Sequence, residues 1–236
     1  MSTSKLMDIT RTRPSTDIIM PVWLPFIGYL IAIIGVLTTV AGMAMRRGMA
    51  SAAVGSFGTL LIVVGAIINV YVIYKWIDRR NKHFRRSHEF FREIERILDK
   101  MGSPRAERIS SILREMELEE QHKSPAVWVI LSLLVPLVIL YVFYFLTRDF
   151  YQHSVREAHL VEEAEKGLEE LGSPLPSRKY RPLPERNAVI YAVLTLLTGI
   201  FGVYWVYVLT KDPNEHFREH ALYEDELVAS LEKTLA

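Results

Sequence analysis

The sequence predicts an all-α fold: a polytopic membrane bundle of four apolar helices, from which charged amphipathic helical stalks project into water. Three observations carry this. Four stretches, 21–45, 48–74, 124–147 and 187–210, contain no charged side chain, and each is longer than the ~20 apolar residues that a spanning helix needs. All 28 Lys and Arg and all 27 Asp and Glu therefore lie in the segments between and around them. Within those segments apolar residues recur at helical spacing, as at Phe84, Phe91 and Leu98 and at Phe90, Ile94, Ile97 and Met101, with no Gly or Pro from 77 to 101.

The same arithmetic excludes several classes. A soluble core has no use for four uncharged runs of this length. The absence of Cys excludes a disulfide scaffold and a thiolate metal centre. A net charge of +1 gives no footprint for nucleic acid. Lys5, Arg11 and Arg13 before the first run imitate a signal peptide, but the run exceeds the ~7–15 residues of a signal h-region and reads as a retained helix.

In chain order, residues 1–20 form a polar tail and 21–47 a first membrane helix. Residues 48–123 comprise a membrane helix and a helical hairpin, whose turn is Gly102-Ser103-Pro104: Gly caps one helix, and Ser and Pro begin the next. Residues 124–185 hold a third membrane helix, a stalk that ends at Gly172-Ser173-Pro174, and a linker with four prolines between 174 and 184, expected to be extended. Residues 186–236 hold the fourth membrane helix and a C-terminal stalk.

The ends of the last three runs are self-similar. Tyr71/Tyr74, Tyr141/Tyr144 and Tyr204/Tyr207 share one register. Nine residues after the second Tyr stands His83, His153 or His216; ten further, Glu93, Glu163 or Glu226; then Leu98, Leu168 or Leu231. The copies are 70 and 63 residues apart and need no gap. Near the middle of the runs, Pro136 matches Gly199, with Gly65 one residue away. Such breakers are tolerated kinks or the tips of re-entrant hairpins.

The third copy, Thr198-Gly199-Ile200-Phe201-Gly202-Val203-Tyr204-Trp205-Val206-Tyr207, resembles the hallmark of an uncharacterised prokaryotic membrane family catalogued as domain of unknown function 4234. The match covers about residues 186–219. The first two copies keep the tyrosines but lose the Thr-Gly and the Trp. The resemblance implies a small helical prokaryotic membrane protein and brings no chemistry with it.

The repeated histidines are the sharpest candidates for a site. His83, His153 and His216 could converge on a transition metal, and His220, four residues after His216, has chelating spacing on a helix. Against this, the residue four places after each repeated His varies: Ser87, Glu157, His220. His216-Phe217-Arg218-Glu219-His220 lacks the Glu that follows the first His in zinc proteases. The tyrosine pairs with Trp76 and Trp205 read as an aromatic belt at the membrane–water boundary. Ser51, Gly55, Gly58 and Gly65 offer a small-residue face to a neighbouring helix. Asn69 is the strongest polar group in any apolar run, so nothing marks an ion path across the bilayer.

Two arguments about topology disagree. Four simple spans place 19 Lys and Arg on one side and 9 on the other, which puts both termini in the cytoplasm. They also place His153 across the bilayer from His83 and His216. Re-entrant hairpins keep the three together but need protein to shield their backbone. Simple spans are the expected arrangement. The expected role is then a non-catalytic scaffold or accessory subunit of the cytoplasmic membrane, in contact with membrane lipid. It would bind a protein partner or further copies of itself through the stalk stripes at Phe84, Phe91, Leu98, Leu168 and Leu231. The alternative is a metal-binding or metal-handling membrane protein that uses the repeated histidines.

Overall fold

The computed structural model describes residues 3–45, 48–173 and 176–235. Among them the regular structure is helical, with no strand: α1 (Ser4–Arg11), α2 (Arg13–Thr16), α3 (Leu24–Ala44), α4 (Met49–Lys100), α5 (Arg105–Glu119), α6 (Pro125–Leu134), α7 (Val138–Glu170), α8 (Ala188–Thr198) and α9 (Phe201–Leu235). Pro174, the last residue of the second Gly-Ser-Pro stop, lies outside the described residues.

Two of these helices, α3 and α4, are long and apolar enough to cross a membrane. They form a tight hairpin. Gly28, Gly35 and Gly42 recur every seventh residue along α3 and meet Gly65, Gly58 and Gly55 of α4. A Cβ on Gly35 would stand 2.7 Å from the Gly58 carbonyl oxygen and 2.7 Å from the Ile62 nitrogen, so the two backbones touch. The small-residue face of the second run is thus covered within the chain, and Gly65 stays inside a continuous helix.

The third and fourth runs are not the single spans expected from their length. Pro136 lacks an N–H and biases the preceding residue away from the helix; Val135 is extended at φ −131° and ψ 94°, and the run divides into α6 and α7. Gly199, at φ 64°, divides the next run into α8 and α9. Each run returns to where it began. Lys123 before α6 lies 3.3 Å from Asp149 of α7, and Arg186 before α8 lies 2.5 Å from Asp212 of α9. Both runs are therefore short hairpins whose arms, at 10 and 11 residues for α6 and α8, reach about half of a ~30 Å hydrocarbon layer.

With all hairpins opening to one end, α4, α7 and α9 continue side by side as three stalks. Their sequence register is also their spatial register. Val72, Val142 and Trp205, then Trp76, Leu146 and Leu209, share one apolar cluster. Ile94, Ala164 and Leu227, then Leu98, Leu168 and Leu231, share another, together with Phe90 and Phe91. A small cluster of Phe84, Phe150 and Phe217 lies between. The stalk stripes that invited a protein partner are thus buried against one another.

Three straps close the outside of this bundle. The polar tail, α1 and α2, lies over α4 and α9; α5 runs back between α4 and α7; the Pro-rich linker crosses α7 and α9. The repeated acids anchor them. Glu93 pairs with Lys5 at 3.0 Å, Glu163 with Arg105 at 3.2 Å, and Glu226 accepts from the backbone N–H of Ser177 and Arg178 at 2.8 and 3.1 Å.

The expected aromatic belt is only partly a surface feature. Tyr71, Tyr74, Tyr141, Tyr204 and Tyr207 are exposed where the stalks leave the apolar hairpins. Tyr144 departs from the other five tyrosines: it is half-buried, packed against the cluster of Val142, Trp205 and Leu209 and stacked on Tyr141 at 6.1 Å between centroids. One helical turn from Tyr141, its ring covers part of that apolar cluster. Trp76 and Trp205 depart further and are fully inside, donating to Thr210 Oγ1 at 3.1 Å and to Thr147 Oγ1 at 2.9 Å. The polar indole N–H finds a Thr on the next stalk, which makes burial of the large ring favourable.

The Gly contact gives a sharp prediction. Gly35→Leu should cost ~1–3 kcal/mol or more through overpacking and lower the detergent-solubilised protein's Tm by several degrees. Gly55→Ala, whose Cβ would meet nothing within 4 Å, should leave Tm unchanged.

Candidate metal centre

Between the two apolar clusters the stalks bury a polar layer. His83 on α4, His153 on α7 and His216 on α9 occupy one register position, and Ser87, Glu157 and His220 occupy the position one turn further; all six are buried. One ring nitrogen from each of His83, His153 and His216 and one carboxylate oxygen of Glu157 lie within 4.8 Å of one another. His83 Nε2 faces His216 Nε2 at 3.0 Å. Glu157 Oε1 stands 2.9 Å from His153 Nε2 and 3.9 Å from His83 Nε2, and its Oε2 stands 3.1 Å from His216 Nε2. A tetrahedral ion with bonds of ~2.0–2.1 Å spaces its ligands about 3.3–3.4 Å apart, which these separations bracket.

The donor set fits a cation better than it fits its own hydrogen bonds. His153 Nε2 makes no hydrogen bond of acceptable direction although it is buried and close to Glu157. His83 Nε2 and His216 Nε2, 3.0 Å apart, can share one proton as donor and acceptor or turn both lone pairs on one cation.

The far side of each ring is held by a group from one of the straps. Asp17 Oδ1, from the tail strap, lies 3.0 Å from His83 Nδ1. Glu120 Oε2, at the end of α5, lies 2.8 Å from His153 Nδ1. Tyr180, on the linker strap, donates to Glu157 Oε2 at 2.8 Å and lies 3.5 Å from His216 Nδ1. A carboxylate behind an imidazole sets its tautomer and turns the other nitrogen toward a metal. Ser87 also donates to Glu157.

His220 stands apart from the four donors. Its Nε2 lies 2.8 Å from Glu157 Oε1 and its Nδ1 3.0 Å from Glu224 Oε1. Glu224 in turn takes Arg86 Nη1 at 2.7 and 2.8 Å and Arg13 Nε at 2.8 Å, while Arg86 Nη2 also reaches Asp17 at 2.8 Å. His220 therefore orients Glu157, and an Arg–carboxylate network locks both.

The electrostatics follow from burial against charge. Burial lowers the His83 pKa to about 3, more than Asp17 can restore, and lowers that of His216 also. At His153 burial acts the same way, but Glu120 and Glu157 together outweigh it and raise the pKa to about 9; Glu157 and Glu224 likewise raise His220 to about 10. Burial opposes ionisation of Glu157, yet the surrounding imidazoles hold it well below the ordinary carboxylate range. The metal-free centre is thus two neutral rings, two cationic rings and one carboxylate.

The structure brings together His83, His153 and His216, which four simple spans would have separated. His220 lies outside that group of four donors. The mixed set Ser87, Glu157 and His220, which counted against a shared site while each copy was read alone, is one contact layer: the copies supply different groups to the same place. Asp17, Glu120, Tyr180, Arg86 and Glu224 carry no signal in the sequence beyond their charge or ring, since they arrive from straps or lie off the repeated spacing. No protein family model, curated protein or solved structure matches this chain.

Glu224 tests the network by pH. Burial opposes its charge, but His220, Arg86 and Arg13 outweigh that and bring its pKa down to about 2, from an ordinary value of 4.5. On acidification the unfolded chain takes this proton first, so the stabilisation is complete above about pH 4.5 and is lost as pH falls toward 2. It is on the order of 3 kcal/mol. In chelator, Glu224→Gln should lower Tm at pH 7 and flatten the fall in Tm between about pH 5 and 3. An unchanged slope would remove Glu224 as a source of acid lability.

Proposed function

We propose that this protein is a membrane-embedded metal-binding protein. Its stalk bundle holds one first-row transition metal ion on His83, His153, His216 and Glu157. The convergence of three imidazoles and one carboxylate in a buried layer, each His backed by an acid or a phenol, is the observation that carries the reading. Nitrogen and oxygen donors without thiolate suit Zn(II), Fe(II), Co(II) or Mn(II) better than Cu(I). Four protein donors match a closed, ion-holding site more closely than a catalytic one, which keeps a position open.

The membrane setting rests on α3 and α4 and on the broad exposure of Leu30, Leu37, Leu60, Ile67, Leu134 and Leu197 along the hairpins. On this reading α3 and α4 span, and α6–α7 and α8–α9 enter from the stalk side and return. All Lys and Arg except Arg46 and Arg47, which fall between α3 and α4, then lie on the stalk side, 26 of the 28. The positive-inside rule puts that side, both termini and the centre in the cytoplasm. The apolar runs carry no Asp, Glu, Lys, Arg or His, so the ion is held beside the membrane rather than passed through it. A scaffold role loses its physical motive, because the stripes at Phe91, Leu98, Leu168 and Leu231 are covered within the chain.

Elemental analysis of protein purified in detergent should find close to one transition metal per chain. His83→Ala/His153→Ala/His216→Ala together should abolish it, and Asp17→Asn should weaken affinity ~10–100-fold. Metal-free wild type that takes up none of these ions on titration would end the reading. The topology has its own check. Lys100→Cys, Glu170→Cys and Lys233→Cys, made singly at exposed stalk positions, should behave alike toward an impermeant maleimide on intact cells. Opposite behaviour of Glu170→Cys would restore simple spans.

A further inference from the structure

The centre is closed on most sides. The apolar cluster of Trp76, Leu146 and Leu209 lies toward the hairpins, the other apolar stalk cluster lies beyond Ser87 and His220, and the tail and linker straps cover two of the three grooves between stalks. The third groove differs. Between α4 and the C-terminal end of α5 is a cleft of about 460 Å³, and its lining includes Phe84, His88, Glu117, Glu120 and His122. Two of these touch the centre itself: Glu120 at 2.8 Å from His153 Nδ1, and Phe84 stacked on the His153 ring at 3.8 Å between centroids. Clefts of about 340 and 320 Å³ beside Trp23 and beside Ser111 include none of the four ligands and none of the groups behind them.

Within the cleft, most charges are spoken for. Lys82 pairs with Asp78 at 2.9 Å, Arg92 with Glu117, and Arg80 with Asp149 at 2.8 Å. His88 is not satisfied: its Nε2 is buried, has no hydrogen-bond partner, and faces Glu120 Oε2 at 3.7 Å. An imidazole nitrogen and a carboxylate oxygen at that distance, on the floor of an open cleft, are a two-point grip for a divalent cation.

Resting on the metal-binding reading, we propose that this cleft is the route by which the ion reaches the centre, and that His88 and Glu120 are its first capture site. The ion exchanges part of its water for His88 Nε2 and a Glu120 oxygen. From there the ring of His153, itself one of the four ligands, separates it from the other three. As the ion binds, the proton of the cationic His153 leaves Nε2 for solvent; otherwise only ligands are exchanged, and the ion keeps its charge throughout. His88 is a positioning residue for loading and contributes nothing to the final coordination.

The test separates rate from affinity. Metal-free full-length protein in detergent is mixed with Co(II) as the probe. Loading is followed by the visible absorption of the Co(II)–imidazole site, and occupancy is read at equilibrium. His88→Ala should load ~10-fold more slowly yet reach the same final occupancy and spectrum as wild type. His122→Cys coupled to a bulky maleimide should slow loading further, while Ser111→Cys with the same label should not. Equal loading rates for wild type, His88→Ala and labelled His122→Cys would overturn the route and leave the centre standing. Failure of wild type itself to bind Co(II) would instead overturn the metal reading. Loss of occupancy in His88→Ala with native Tm would also overturn the proposal, by making His88 part of the final site.

Discussion

A carboxylate buried at the middle of a helical bundle must be surrounded by positive or donating groups, or it will not ionise there. Glu157 meets this constraint with His153, His216 and His220, with Ser87 and with Tyr180, drawn from three stalks and one strap. Those partners arrive only if α4, α7 and α9 run side by side from a common level. The two short hairpins are what allow it: each turns the chain back at its tip to the level it left, ready to add another stalk.

The polar layer is tolerable because of what lies above and below it. Aromatic and aliphatic layers of the stalks seal it from both ends, and in that low-dielectric setting each hydrogen bond and ion pair is stronger and each missing one more costly. The straps complete the enclosure. Each is tied by the acid that recurs in the stalks, Glu93, Glu163 or Glu226, and two of them deliver a carboxylate, Asp17 or Glu120, to the back of His83 or His153. Enclosure and orientation are thus the work of the same segments. The α5 strap leaves a large cleft that reaches the centre.

Much of this was legible in the sequence because it is local. Uncharged runs, helical stripes and Gly-Ser-Pro stops are written over a few turns of chain, and the Tyr–His–Glu–Leu register could be aligned without knowing any contact. The register also held the answer to the site, but in a form easily misread. Ser87, Glu157 and His220 look like failed repetition when each copy is expected to bring the same ligand. They make sense only as three members of one contact, where a single carboxylate is enough and its neighbours must donate to it. Asp17, Glu120 and Tyr180 had no comparable signal, since a strap residue lies far in sequence from what it touches. Trp76, Trp205 and Tyr144 were misplaced for a related reason. The Thr that accepts each indole N–H sits on another stalk, and Tyr144 packs against a cluster assembled from several stalks.

The sequence by itself determined the helices, their apolar faces, the places where they stop and the alignment of the three copies, since propensity, periodicity and breakers act within a few residues of one another. Only the tertiary structure decided that the three histidines share one side and one centre. Pro136 and Gly199 interrupt a helix equally well as a kink or as the tip of a hairpin, because the local loss of hydrogen bonding is similar in both. The choice lies with groups at the far ends of each run, Lys123 with Asp149 and Arg186 with Asp212, which meet only when the chain turns back.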